Sequence, residues 1–143
     1  MNTLNPEVSE EVDAWADLND LVLQVIEHRH SSSSNFIRKV LLSFGCYGGE
    51  IGINLSKFVL LDDNNTQKLI SVINCLAHQT NGRNELRYWL KDAYYWTLYF
   101  LQEIEEWTIS RNQFTEGSEE WQEGEDQLEG MRESLKKYEI LCK

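Results

Sequence analysis

Cys75 and His78 stand three residues apart in "NCLAH", a spacing that on a helix brings a thiol and an imidazole to one face. Thiolate and imidazole are zinc ligands, and His28, His30 and Cys46 extend the set. Structural zinc sites, however, are built from paired short spacings such as CxxC with HxxxH, and this chain has one weak pair. No metal and no cofactor are expected. A Cys/His nucleophilic pair is no better supported. A buried cysteine acting as a small hydrophobe is commoner than a reactive one, and no motif assembles a nucleophile, a base and oxyanion donors. No catalytic residue is expected, and the chain does not read as an enzyme.

Four glycines, Gly45, Gly48, Gly49 and Gly52, lie in "FGCYGGEIG". A phosphate loop needs GxxxxGK[ST] after a strand, so that backbone N–H groups and a helix N-terminus hold the phosphates. Here Lys57 lies too far on and the stretch follows a helix; the spacing also fails GxGxxG. The glycines are expected to stop a helix and turn the chain, with Gly48 and Gly49 supplying positive φ.

Carboxylates are the most abundant chemical groups, in a chain of 143 residues with a formal charge of −11. Residues 7 to 20 carry six acids and no base, and residues 103 to 130 carry ten acids against Arg111 alone. The middle, 27 to 92, has six acids and eight bases, so it is close to neutral. A catalytic carboxylate pair needs one acid in an apolar pocket with a raised pKa, whereas these acids cluster on polar helix faces. Direct nucleic-acid binding is not expected either, because phosphate contacts need clustered Lys and Arg. On a helix, Glu119, Glu123 and Asp126 fall near one face, with Glu116 and Glu120 at its border. With Glu103, Glu106 and Glu129 they make a candidate surface for a basic protein partner. Such a line of carboxylates can stand in for a phosphate backbone.

The elements that would position these groups are helical. One proline, eight glycines and long mixtures of polar and apolar residues favour helices over a many-stranded β fold. The expected class is all-α, a single compact domain of five or six helices. An acidic helix over 7–29 carries Val8, Val12, Trp15, Val22 and Ile26, and a core follows over 35–110. "HRHSSSSN" reads as a flexible break, with Asn35 capping a short helix through Phe44. "IGINLSKFVLLDD" reads as an extended stretch entering one helical turn capped by Asn54, strand pairing over 50–55 being the alternative.

Asp62 or Asp63 starts the next helix, which ends at Gly82. From Arg83 to Ser110 a long central helix is expected, with Leu86, Trp89, Leu90, Ala93, Trp96, Phe100, Ile104 and Trp107 in one stripe widened by Tyr88, Tyr95 and Tyr99. The stripe reads as core rather than as a stacking platform for bases, which would need basic neighbours. "NQFTEGSEE" is a loop. Ser118 then caps an acidic helix within 116–143, whose residues Trp121, Leu128, Met131, Leu135, Tyr138 and Cys142 form a heptad seam interrupted by Gly124. That seam either packs within its own domain or pairs with a second copy as a homodimer.

No window has the eighteen or so apolar residues of a membrane span, and "MNTLNPEVSEEVDAWADL" has neither the basic start nor the apolar core of an export signal. The three cysteines do not resemble a disulfide framework. A cytoplasmic location is expected.

"RKVLLSFGCYGGEIGINLSKFVLLDDNNTQKLISVI", followed by "NELRYWL", resembles a family of small bacterial proteins carried on plasmids, conjugative elements and prophages. The matching residues are Leu41, Leu42, Tyr47, Gly48, Leu55, Phe58, Leu61, Asp62, Asn65 and Glu85, within a stretch running from about residue 38 to about residue 90. The family has Asn-Gly where this chain has Gly48-Gly49, and the acidic C-terminal segment lies outside the match. The resemblance implies a mobile-element origin and no activity. Such elements often carry inhibitors of host defence nucleases. The expected function is therefore a non-enzymatic binding module that inhibits a nucleic-acid-binding defence complex by mimicry, in the manner of an anti-CRISPR protein. The alternative is a structural or regulatory module that homodimerises through its C-terminal helix.

Overall fold

The computed structural model describes residues 6–44, 51–79 and 85–143, with the backbone alone over 6–12. The described residues are all-α. They form five α-helices, α1 (Pro6–Glu27), α2 (Ser32–Leu42), α3 (Asp63–Ala77), α4 (Asp92–Arg111) and α5 (Glu119–Leu141), with short 3-10 helices at Leu55–Leu60 and Leu86–Tyr88. The chain divides into two compact units, Met1–Leu90 and Lys91–Lys143, a boundary inside the 35–110 segment expected to form one core.

In the first unit α1 packs mainly on α3 and also on α2. The buried face of α1 is Ala14, Leu18, Leu21, Val22 and Val25. Of the residues expected on its apolar stripe, Val22 is buried and Ile26 half-buried, but Trp15 is exposed. The true stripe lies about one position further round, centred on Ala14, Leu18, Leu21 and Val25 at steps of four, three and four, with Trp15 at its edge. Leu69, Val72 and Leu76 face inward from α3, and Lys68 Nζ reaches Asp20 on α1 at 3.3 Å.

Two local expectations change, and one alternative falls away. The cap of α2 is Ser31, not Asn35: the Ser31 hydroxyl accepts the Ser34 N–H at 3.1 Å, so the serines open the helix instead of forming a flexible break. Asn35 lies inside the helix and accepts from Arg38 Nη1 at 2.9 Å. Strand pairing is not found at 51–55. As expected, Asn54 caps the 3-10 helix, its side-chain oxygen accepting the Ser56 N–H at 3.0 Å.

The second change is larger. The helix expected from Arg83 begins only at Asp92, after Lys91 in an extended conformation. Leu86 donates its N–H to the Phe44 carbonyl at 2.8 Å, and Trp89 meets Trp15 edge-to-face at 5.1 Å. These contacts hold Leu86 and Trp89 to the first unit. A continuous helix would carry them elsewhere, so tertiary contact overrides the periodicity. Asp62 caps α3 by accepting the Asn65 N–H at 2.7 Å, in agreement with its sequence position. The glycine turn at Gly45, Gly48 and Gly49, the reactive-thiol candidate Cys46, and the helix stop at Gly82 lie outside the described residues.

The second unit is an antiparallel pair of helices. Its turn, residues 112–118, ends at Gly117, whose φ of 87° suits a residue with no Cβ. Ser118 caps α5 as expected, accepting the Trp121 N–H at 3.2 Å. The predicted seam faces α4: Gly124, Leu128 and Leu135 are buried, while Trp121, Met131 and Tyr138 are half-buried. At one end, Tyr138 stacks on Phe100 with ring centroids 5.8 Å apart. At the other, a Cβ built on Gly124 would lie 3.0 Å from Arg111 Cβ and 3.1 Å from its Cγ. The glycine that interrupts the heptad pattern is therefore a point of close helix approach.

The most buried residues of α4 are Tyr95, Thr97, Leu98, Leu101 and Gln102, whereas Trp96, Phe100 and Ile104 of the expected stripe are half-buried and Trp107 is exposed. Apolar residues nearly encircle this helix, so periodicity does not single out its inner side.

Two glycines of α5 separate crowding from helix propensity. Gly130 faces open space, so Gly130→Ala raises stability by about 1 kcal/mol. Gly124→Ala carries the same propensity gain but presses on the Arg111 stem, and a net loss of about 1 kcal/mol is expected. Chemical denaturation of both variants checks the opposite signs.

Candidate functional site: an acidic helix surface

Residues 119 to 129 of α5 contain six acids in about 15 Å of helix axis. They do not all do the same thing. Glu125 turns to the flank of the α4 contact, where its carboxylate takes Arg111 Nη1 on one oxygen and Arg132 Nη1 on the other, the latter at 3.0 Å. The Arg111 guanidinium also lies over the Trp121 ring, 5.2 Å from its centroid, and bonds the Asn112 side-chain oxygen. The lone base of the acidic block is thus held by a ring, a carboxylate and an amide oxygen. Hydrogen bonds from Arg132 and then Arg111 hold the Glu125 carboxyl below the ordinary glutamate value.

The other five, Glu119, Glu120, Glu123, Asp126 and Glu129, are all exposed. At 100° per residue Glu119, Glu123, Asp126 and Glu129 lie on the half of α5 opposite Leu128 and Leu135, and Glu120 borders it. Asp126 accepts from Gln122 Nε2 at 3.0 Å, a contact within the same surface. Glu116 is exposed in the turn just before α5. Glu103 and Glu106 lie on α4 and continue a different, aromatic face: Glu103 is half-buried and Glu106 exposed.

The five exposed carboxylates amount to about one charge per 3 Å of axis, close to the roughly 3.4 Å spacing of charges along one nucleic-acid strand. Glu119 and Glu120 also suit the positive end of the α5 dipole, whereas Asp126 and Glu129 lie beyond its first turn. The sequence reading placed the acid surface but missed that Arg111, Gly124 and Glu125 orient it. A single base among ten acids was the available signal.

Among the described residues the thiol and imidazole candidates do not form a metal-binding group. His78 Nδ1 lies 2.7 Å from the Asn74 carbonyl, and Cys75 borders a shallow apolar depression with Trp15 and Trp89. Among the described residues no three His, Cys, Asp or Glu side chains form a metal-binding group. No helix among them is long and apolar enough to cross a membrane.

Because the folded-state pKa of Glu125 is lowered, its contribution to stability is present above the unfolded carboxyl value of about 4.3 and is lost as pH falls through the lower folded value. Glu125→Gln is expected to be less stable than the parent near neutrality, with the gap closing below about pH 4. Melting temperatures of the two proteins across that range check the sign.

No protein-family model matches the chain, and no curated protein or solved structure matches it at a significant level.

Proposed function

We propose that this protein is a non-enzymatic binding module whose acidic α5 surface engages a basic protein partner. The observation that carries the reading is the set of five exposed carboxylates along about 15 Å of helix, at a charge spacing near that of a nucleic-acid strand. Like charges so close repel one another. Gly124 and the Arg111–Glu125 pair hold the helix that carries them against α4. A mobile-element origin, which the resemblance implies, makes a nucleic-acid-handling host complex the proposed partner class, its basic channel occupied by the acidic surface as a mimic. Inhibition of this kind needs no cofactor and no direct nucleic-acid contact.

The alternative, homodimerisation through Trp121, Leu128, Met131, Leu135 and Tyr138, has less behind it. Leu128 and Leu135 are buried within the chain, so this seam is occupied before a second copy could reach it.

Affinity capture from a bacterial lysate, with mass spectrometry of the bound proteins, tests the proposal. The expected result is a basic nucleic-acid-binding complex, retained at low salt, weakened in about 0.5 M salt where charge contacts are screened, and displaced by short duplex DNA. Reversal of Glu119, Glu120, Glu123 and Asp126 to lysine should reduce capture at least tenfold while the helical circular dichroism is kept. Undiminished capture by the reversed protein refutes the reading.

A further inference from the structure

We draw no further inference here: the strongest candidate, the surface patch of exposed Leu55, Val59 and Leu60 on the short 3-10 helix of the first unit, carries nothing because nothing in the structure shows what covers it.

Discussion

The second unit depends on the close approach of α4 and α5 at Gly124. No side chain larger than hydrogen fits there without moving the Arg111 stem. With the backbones this close, the Arg111 guanidinium reaches across to Glu125 and rests on Trp121. One contact therefore sets the separation of the helices, their rotation, and the fate of the lone base among ten acids. Rotation is the consequential part. With Gly124, Leu128 and Leu135 turned toward α4, the remaining carboxylates of the first three turns can only point to solvent.

Charge on α5 is divided along its length as well as around it. The acids crowd its N-terminal half, where the helix dipole favours them, and Arg132, Lys136 and Lys137 lie toward the C-terminal end. Glu125 is shared between Arg132 and Arg111, so one acid is spent on structure and five remain on the surface. Ion pairs at such exposed positions contribute little to stability by themselves. Their larger effect is on orientation: Arg111 reaches Glu125 from α4 and resists rotation of α5, while Arg132, on α5 itself, holds the other carboxylate oxygen. The solvent-facing acids carry no equivalent structural role, which is why a binding role is proposed for them.

The first unit solves a different problem with more apolar surface. Its helices bury leucine and valine stripes against one another, and its loops are closed by single hydrogen bonds at Ser31, Asn54 and Asp62. Each of these caps satisfies a backbone N–H that a helix start leaves open. The Leu86 to Phe44 hydrogen bond and the Trp15–Trp89 contact then tie the end of the unit back to its beginning. Those ties end one unit just before α4 begins the next.

Much of this was legible in the residues themselves. All-α class, the α3 start at Asp62, the Asn54 and Ser118 caps and the α5 seam follow from short-range rules, in which a side chain answers to a backbone group two to four residues away. The excess of acid between 103 and 130 likewise needs no fold to be seen. What only the tertiary structure decided involves residues far apart in the chain. It delayed the start of the expected helix from Arg83 to Asp92 by binding Leu86 and Trp89 to partners some 40 and 70 residues earlier. It also made Gly124 a contact instead of a gap, and separated Glu125 from the five acids left in solvent. Local pattern records which side chains prefer to be covered. Which of them finds a partner, and at what distance, depends on the packing of whole helices.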